Sequence, residues 1–459
     1  MPHERDLDAT QARLSEWFAA EMPSADEITV SSLTLPSAGV SNETLMCDLS
    51  WREDGDARSE SLVIRLEPAD FRVFPEYDVV MQAQVMRCLS GTDVPVPEVP
   101  WLEEDAAVLG SPFYVMRKIE GEVPNEVPPY HSFGFCLDAT PERRAKMWWG
   151  GIEALAKIHA LDWEQLGLSF LGVPSGGTGP LDRQIEYYES FLEWTRGDEP
   201  QPILDPALAW LKENRYTPEA VTLCWGDARL PNVILRDDNV AGVLDWEMAY
   251  IGDPESDLAW WLFLDWHHSE GMGIPRLEGF PGKEETHERY EALTGRKVKH
   301  ALYHEIMAAF RFGVVMVSVT RNMAEKGIST AANDMATNNP CTQRLATLLE
   351  LPPPGGRAMT NVKEITVRVQ FHLTGPGGHD WYLVAEKGEG ERHEGTVEDP
   401  DVTVNVLAAD WAAIQSGELD RAQAYLGGKL AIEGDLTLML QLEDMISRLS
   451  ASSAGGSEA

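Results

Sequence analysis

"WGDARLPNVIL", residues 225–235, sets Asp227, Arg229 and Asn232 in one short segment, and the following apolar run "VAGVL" leads directly into Asp245. Transfer of a γ-phosphoryl group to an alcohol requires a carboxylate that accepts the hydroxyl proton and a cation that offsets the developing charge. It also requires oxygen ligands for Mg²⁺, which prefers carboxylates and amides. The spacing D-x-R-x-x-N followed by a second Asp supplies these groups, so this stretch predicts a phosphoryl-transfer site.

The composition narrows the class of protein before any fold is considered. The chain has 459 residues, of which 43% are apolar and 24% charged, and its length predicts two to three soluble globular domains. A net charge of −38 disfavours nucleic acid and anionic lipid surfaces as partners. No apolar run reaches the roughly 18 residues of a membrane span, and the polar start "MPHERDLDATQARL" is not typical of a signal peptide. Five widely spaced cysteines without a C-x-x-C pair favour a reducing cytoplasm over disulfides or structural zinc.

Hydrophobic periodicity divides the chain into a β-rich part, a helical part and a separate C-terminal module. We expect a helix in 1–27, strands in "TLMCDLSW", "SLVIRLEP" and "PFYVMRKIEG", and long helices from about residue 140 onward. The Pro- and Gly-rich run 352–360 predicts a linker. Beyond it, alternation in "EITVRVQFHL" and further strand and helix patterns predict a small α+β module over 361–449, with a disordered tail at 450–459.

The catalytic segment resembles that of the aminoglycoside phosphotransferase family, whose pattern is H-G-D-x-x-x-x-N followed by an Asp-led metal motif. The resemblance covers about residues 28–350 and implies an α+β, two-lobed protein-kinase-like fold, with an N-terminal lobe over 28–118 and a C-terminal lobe over 119–351. It implies that Asp227 is the catalytic base, that Asn232 and Asp245 bind Mg²⁺, and that Arg229 lies near the γ-phosphate. Asp257 in "GDPESDLAWW" is expected to brace the catalytic loop.

Three positions depart from the family pattern. Trp225 replaces the leading His, which we interpret as a structural variation; the alternative is a degraded, non-catalytic member. Arg65 in "LVIRLEP" occupies the place of the phosphate-anchoring Lys, and Gln82 falls where its acidic partner is expected. The usual Lys–Glu ion pair is therefore predicted to be an Arg–Gln pair. Because Arg can bind two phosphate oxygens, ATP binding remains the expectation.

Further nucleotide contacts follow from the same resemblance, and acceptor contacts are expected near the long loop that follows Trp266. Ser41 and Asn42 in "LPSAGVSNETL" are expected to face the phosphates. In the hinge-like "FYVMRKIEGEVP", backbone groups of Arg117 and Ile119 would pair with adenine, and Met116 would contact its ring. Candidate acceptor contacts are the residues Glu247, Trp266 and His267. His159, on a helical apolar stripe, is interpreted as a hydrogen-bonded core histidine.

The C-terminal module resembles the sterol-carrier-protein-2 type lipid-binding domain, through "G-x-L-x-x-x-x-A" and "G-x-L-x-I-x-G-D" within residues 398–442. That resemblance implies an apolar tunnel for a lipid or an acyl-CoA. Candidate tunnel residues are Phe371, Trp381, Leu383, Trp411, Tyr425 and Leu438, although core packing explains them equally well.

The combined expectation is an ATP- and Mg²⁺-dependent small-molecule kinase in the cytoplasm. Its acceptor would be a hydrophobic alcohol such as a hydroxylated lipid, a sterol-like compound or a hydroxyacyl-CoA, because related kinase-like domains also occur beside acyl-CoA dehydrogenases. An aminoglycoside or another natural product is the alternative acceptor. A non-catalytic lipid-binding scaffold with a decayed kinase lobe is the alternative class. The oligomeric state stays open.

Overall fold

A computed structural model describes residues 5–35, 43–68, 72–172, 179–325, 332–354, 366–386 and 389–416, together with 419, 424, 429–434, 442 and 446. The predicted contacts Ser41 and Asn42, the tunnel candidates Tyr425 and Leu438, and most of the Pro/Gly linker lie outside these residues.

The N-terminal lobe is a five-stranded antiparallel sheet with strand order β1-β2-β3-β5-β4. Leu14 and Phe18 of the first helix are fully buried against the sheet. The apolar side of the second helix joins the larger core that continues into the C-terminal lobe. The elements are α1 Leu7–Glu21, β1 Asp26–Val30, β2 Glu43–Glu53, β3 Asp56–Leu66, α2 Val79–Leu89, β4 Trp101–Glu103 and β5 Phe113–Arg117.

The β2–β3 hairpin sets the register that places Arg65. Its two-residue turn, Asp54 and Gly55, has φ angles of 53° and 87°. Two consecutive left-handed residues are typical of the tight turn that matches the right-handed twist of the strands. With Glu53 opposite Asp56, Arg65 lies opposite Thr44 in β2 and Tyr114 in β5.

The C-terminal lobe is mainly helical and contains two short β-ladders, β6–β9 and β7–β8. The β6–β9 ladder encloses the segment from Trp225 to Asp245, and the β7–β8 ladder lies within it, so together they position its side chains. The elements are α3 Phe135–Asp138, α4 Pro141–His159, α5 Pro180–Arg196, α6 Leu204–Glu213, β6 Thr222–Cys224, β7 Val233–Arg236, β8 Asn239–Val243, β9 Tyr250–Gly252, α7 Glu255–His267, α8 Lys283–Thr294, α9 Ala301–Glu325, α10 Ala332–Thr337 and α11 Pro340–Leu348.

The longest of these helices, α9, is long and apolar enough to cross a membrane by length and composition. By length and composition, the prediction that no apolar run reaches the length of a membrane span is therefore wrong for α9. However, 67% of its most apolar window is buried inside the protein, where it packs against α5, α6, α7 and α11. A long apolar helix with this degree of burial is typical of a core helix, as its apolar stripe predicts.

The C-terminal module is a five-stranded sheet of order β12-β11-β10-β13-β14, in which β10 and β13 run parallel. The predicted α+β module is therefore present. Its core also contains Met323, near the end of α9, so this sheet packs against the helical lobe. The elements are β10 Thr366–Thr374, β11 Asp380–Glu386, β12 Glu389–Glu394, β13 Val402–Leu407, α12 Ala408–Ser416 and β14 Leu430–Gly434.

Four tunnel candidates lie in the core of this sheet. Phe371, Trp381, Leu383 and Trp411 are each at most 7% exposed, and the Phe371 and Trp381 rings stack with centroids 3.8 Å apart. Their close packing makes them core residues of the sheet in this structure.

Candidate active site

The loop that carries Asp227 is held from behind by a fully buried carboxylate. Asp257, in α7, accepts hydrogen bonds from the backbone N–H groups of Trp225 at 2.6 Å and Gly226 at 2.9 Å. His159 Nε2 lies 3.1 Å from the same carboxylate, and its Nδ1 lies 2.7 Å from the Tyr290 hydroxyl. The expected brace at Asp257 and the expected core role of His159 are both confirmed.

This cluster includes Cys224, because ligand atoms of His159, Cys224 and Asp257 lie within 4.8 Å of one another. Both histidine nitrogens and both Asp257 oxygens are already used in hydrogen bonds. Burial raises the pKa of the Cys224 thiol well above its ordinary value, which disfavours the thiolate that a metal requires. The cluster is therefore a structural network.

Gly226 provides the sharp turn before Asp227. Its φ is +85°, and a Cβ at this position would lie 1.9 Å from the carbonyl oxygen of Met248. Only glycine tolerates both the left-handed backbone and this close approach. The G-D dipeptide thus brings the loop against the segment that follows Asp245.

Asp227 is buried, and both of its carboxylate oxygens accept hydrogen bonds. Oδ1 accepts from the indole N–H of Trp260 at 2.7 Å. Oδ2 accepts from Arg229 Nε at 2.9 Å and from Asn232 Nδ2 at 2.7 Å. A carboxylate oxygen has about two lone-pair sites, so the described residues occupy Oδ2 fully and leave Oδ1 one site. Oδ1 is therefore the atom able to accept a proton from a hydroxyl.

Arg229 binds two carboxylates rather than standing alone. Its Nε donates to Asp227, and its Nη1 forms a very short ion pair with Glu126, a residue that sequence reasoning missed. Burial alone would lower the pKa of Arg229, but Asp227 and Glu126 raise it, so the guanidinium stays charged. In this structure two nitrogens of Arg229 are therefore engaged by the carboxylates of Asp227 and Glu126.

Asn232 forms hydrogen bonds with Asp227 and with the residue that precedes Asp245. The side-chain Nδ2 donates to the backbone carbonyl of Asp227 at 3.0 Å as well as to the Asp227 carboxylate. The backbone carbonyl of Asn232 accepts from the backbone N–H of Leu244 at 2.9 Å. Because the amide nitrogen points at Asp227, the amide oxygen is on the other side of the side chain.

Asp245 adopts a left-handed backbone with φ of 62°, unusual for a residue other than glycine. Its Oδ1 lies 3.0 Å from Arg65 Nη2, which joins the two lobes by an ion pair whose side chains are about 15% exposed. Burial raises the pKa of Asp245, and the charge of Arg65 opposes that shift. A strained, buried carboxylate held by a cation is typical of a functional position.

Trp225 stabilises the left-handed backbone of Asp245. It is fully buried, and its indole N–H donates to the carbonyl oxygens of Leu244 at 2.8 Å and Asp245 at 3.2 Å. The position where the family pattern has His is thus occupied by a side chain that holds the loop through a ring N–H. This geometry supports the interpretation as a structural variation.

The predicted Arg65–Gln82 pair is corrected by the structure. Arg65 pairs with Asp245, whereas the Gln82 side-chain oxygen accepts from the Tyr114 hydroxyl at 3.3 Å. Tyr114 lies opposite Arg65 in the sheet, so it stands between the two predicted partners. A neutral amide offers Arg65 no charge, and the buried Asp245 carboxylate attracts it more strongly.

The hinge prediction is only partly compatible with the geometry. The backbone N–H of Arg117 donates to the Glu98 carbonyl at 2.9 Å, so it is not available for adenine. Its side chain instead forms ion pairs with Glu60 and Glu98. Met116 is buried, and the Ile119 side chain lies against Gly242.

The three candidate acceptor contacts do not come together. Glu247 lines a cavity of about 230 Å³ between α2 and α5, whereas Trp266 lines a separate cavity of about 260 Å³ between α7, α8 and α9. His267 is 3% exposed and packs against Phe312, and burial lowers its pKa well below the ordinary value. Trp266 and His267 are therefore not among the residues that line the cavity of Glu247.

A model of the phosphotransferase enzyme family matches residues 33–292, more than half of the chain. The chain belongs to this family. A model of the SCP-2 sterol transfer family matches residues 345–447. The two resemblances drawn from sequence motifs are thus both confirmed, and the fold has the kinase-like lobes that the first one implies.

Relatives and solved structures agree with this assignment. Acyl-CoA dehydrogenase family member 11 of Rattus norvegicus is 27% identical over 291 residues, which cover 60% of this chain and 35% of the relative. Acyl-CoA dehydrogenase family member 10 of Mus musculus is 28% identical over 252 residues, covering 54% of this chain and 21% of the relative. The chain therefore spans about a third or less of these curated relatives. The crystal structure of a candidate aminoglycoside phosphotransferase from Ralstonia eutropha matches with a TM-score of 0.57 and 24% identity, covering 74% of this chain and 98% of the other.

The donor set of this phosphotransferase fits the divalent cation that phosphoryl transfer requires. Asn232 offers its amide oxygen and Asp245 its carboxylate, both hard oxygen ligands of the kind that Mg²⁺ prefers. Arg65 supplies a buried guanidinium whose Nε has no hydrogen-bond partner among the described residues. A buried donor without a partner is costly unless a ligand satisfies it, so Arg65 Nε fits an anionic group such as a phosphate.

Proposed function

We propose that this protein transfers the γ-phosphoryl group of ATP to the hydroxyl of a small molecule, with Mg²⁺ held by Asn232 and Asp245. The observation that carries the proposal is the convergence of three residues: Asn232 donates to the Asp227 carboxylate, and its backbone carbonyl accepts from Leu244, the residue before Asp245. Arg65 pairs with Asp245 from the other lobe. A set of surface carboxylates would not be buried together or be braced by a second carboxylate, Asp257.

In the proposed reaction the acceptor hydroxyl meets Asp227 Oδ1, its oxygen bonds to the γ-phosphorus, and its proton passes to Oδ1. The bond from the γ-phosphorus to the bridging oxygen breaks, and ADP leaves. Arg65 binds phosphate oxygens, and Arg229 offsets negative charge beside the base. A bound Mg²⁺ would supply further charge neutralisation at the phosphate oxygens.

The acceptor is proposed to be a hydrophobic alcohol, such as a hydroxylated lipid, a sterol-like compound or a hydroxyacyl-CoA. Two features support this class. Glu247, two residues after Asp245, lines a cavity. The wall of this cavity also contains Phe74, Tyr77, Tyr187 and Met248, which suit the apolar part of such an alcohol. The second feature is the lipid-transfer type module in the same chain. An aminoglycoside or another natural-product alcohol is the alternative, and the carboxylate of Glu247 is its support.

The alternative of a decayed kinase lobe rested on Trp225, Arg65 and Gln82. Trp225 donates to the carbonyl of Leu244, next to the proposed metal ligand Asp245, and Arg65 pairs with Asp245. These contacts support a working site over a decayed one. A thermal-shift measurement with ATP, with and without Mg²⁺, separates the alternatives: the kinase gains stability only with both, whereas the scaffold gains none.

The test of the proposal is an ADP-release screen across hydroxy fatty acids, hydroxyacyl-CoAs, sterols and aminoglycosides. Asp227→Asn keeps the shape of the side chain but removes the base, so we expect kcat to fall roughly 100-fold or more. Asp237→Asn, an exposed carboxylate in the β7–β8 turn, is the matched control and should leave kcat unchanged. Equal rates for wild type and Asp227→Asn would overturn the assignment of the base.

A further inference from the structure

The indole of Trp260 reaches the catalytic loop from a different part of the chain. Trp260 lies in the first half of α7 and is 2% exposed, and its N–H donates to Asp227 Oδ1 at 2.7 Å. The contact spans 33 residues of sequence. A hydrogen bond to a charged carboxylate is roughly twice as strong as one between neutral groups. Trp260 therefore restrains the oxygen that the proposed reaction uses.

The hydrogen bond from Trp260 helps to fix the orientation of the Asp227 carboxylate. Arg229 and Asn232 occupy both lone-pair sites of Oδ2, and Trp260 occupies one site of Oδ1. Three donors on two oxygens prevent the carboxylate from rotating about its Cβ–Cγ bond. The one remaining site on Oδ1 then has a defined direction.

Arg311 fixes Trp260 in turn. This residue of α9 is 2% exposed, and its guanidinium carbon lies 4.2 Å from the centroid of the Trp260 ring. Its Nη2 donates to the carbonyl oxygen of Gly226 at 2.8 Å, immediately before Asp227. One side chain thus restrains both the backbone of the loop and the indole that binds the carboxylate.

We propose that Trp260 and Arg311 are positioning residues that orient the Asp227 carboxylate toward the acceptor hydroxyl. The proposal rests on the proposed function, because the orientation has a catalytic consequence only if Asp227 is the base. Sequence spacing contains no signal for it, since an aromatic residue on an apolar helix is normally a core residue.

The kinetic test compares Trp260→Phe with Trp261→Phe. Both positions are buried tryptophans in α7, but the Trp261 indole N–H has no hydrogen-bond partner among the described residues. Both variants remove buried aromatic volume, and Trp260→Phe should lose more thermal stability because it also removes a hydrogen bond. Loss of a hydrogen bond to a charged group corresponds to roughly a 10- to 100-fold change. We expect that fall in kcat for Trp260→Phe, with KM for ATP unchanged, and a kcat near wild type for Trp261→Phe.

Arg311→Lys provides a second variant. Lysine keeps the charge but cannot both lie flat on the indole and donate in a fixed direction to the Gly226 carbonyl. We expect an intermediate loss of kcat at unchanged KM for ATP. Equal kcat for Trp260→Phe and Trp261→Phe, or a fall confined to KM, would overturn the proposal.

A spectroscopic measurement separates this proposal from the assignment of the kinase activity. In ¹H–¹⁵N spectra, the indole signal of Trp260 is the one that Trp260→Phe removes. It should move upfield in Asp227→Asn, because the charged acceptor becomes neutral, while the Trp261 signal stays in place. If no acceptor is phosphorylated but the signal moves, the proposed function fails and the restraint on Asp227 stands. A Trp260 signal unaffected by Asp227→Asn would overturn the restraint itself.

Discussion

At residue 225 an indole holds the loop through a ring N–H, at the position where the family pattern has an imidazole. Trp225 Nε1 donates to two consecutive carbonyls, Leu244 and Asp245, and so stabilises the left-handed backbone of Asp245. The side chain is fully buried, which means that both carbonyls would lose a partner that water cannot easily replace.

We therefore predict that Trp225→Phe is more harmful than Trp225→His. Phenylalanine removes the N–H, and the free energy of unfolding should fall by about 1 to 3 kcal/mol, with a parallel fall in kcat. Histidine retains a ring N–H and should recover part of both losses. Urea unfolding and steady-state kinetics measure the two effects. If the His and Phe variants behave alike, the hydrogen bond is not what the position contributes.

Residue types and spacing were sufficient to predict Asp227, Asn232 and Asp245 as neighbours, because the loop and the following strand are close in sequence. The partners that complete the site were not predictable in this way. Arg65 and Asp245 are 180 residues apart, and Arg229 and Glu126 are 103 apart. Such pairs depend on how the lobes pack, so the predicted Arg65–Gln82 pair was wrong even though both residues were correctly placed on their elements.

Among the elements, α7 contributes to both the catalytic loop and a second polar centre at its far end. Asp257 near its start braces the loop, while Asp265 near its end accepts from Tyr130 at 2.6 Å and from Arg276 at 2.6 Å. His131 Nε2 also lies 3.0 Å from Asp265. Asp265 thus joins α7 to the segments on either side of it.

The pH dependence of stability should report on Asp265. Burial alone would raise its pKa, but His131, Arg276 and Tyr130 outweigh burial and hold the pKa below the ordinary value of 3.8. The unfolded chain then binds the proton more readily, so the stabilisation is present above pH 4 and is lost as the pH falls through the lowered pKa.

Asp265→Asn is therefore expected to cost about 3 kcal/mol at pH 7, where it leaves Arg276 without its charged partner. The difference in the free energy of unfolding between this variant and the wild type should become smaller as the pH falls below about 4. Urea unfolding at several pH values measures this difference. A difference that stays constant from pH 7 to pH 3 would show that the ionised form is not what stabilises the helix.

The sequence patterns identified the elements that have a strong period and missed those that lack one. β3 and β10 were predicted because their apolar residues alternate. β12, "EGERHE", is a highly charged strand at the edge of the C-terminal sheet, where no second neighbour demands an apolar pattern. β12 pairs with β11 through backbone contacts, which the residue types of β12 do not predict.

At the scale of the whole molecule, α9 connects the parts. Arg311 contacts the catalytic loop, and Ser318 donates to the Val73 carbonyl at 2.6 Å, beside Phe74 of the Glu247 cavity. Met323 then enters the core of the C-terminal sheet. The lipid-transfer type module is thus packed onto the same helix that supports the site.

We predict that Met323→Ala destabilises the C-terminal module. Met323 is 8% exposed, and truncation of a buried methionine costs about 2 to 5 kcal/mol. Met316→Ala, on the same helix but packed against the core of the helical lobe, is the matched control and should affect only that lobe. Differential scanning calorimetry distinguishes the transitions. A C-terminal transition unchanged by Met323→Ala would contradict the docking of the module on α9.

If Asp227 directs transfer of a phosphoryl group to an alcohol, ³¹P spectroscopy of the reaction should detect the product. With ATP, Mg²⁺ and the pooled hydroxyl acceptors, the wild-type protein should convert the γ-phosphate signal into a phosphomonoester signal distinct from inorganic phosphate. Asp227→Asn should form this product at least about 100-fold more slowly. A phosphomonoester that accumulates equally fast with Asp227→Asn, or inorganic phosphate as the sole product of the wild-type protein, would contradict the account.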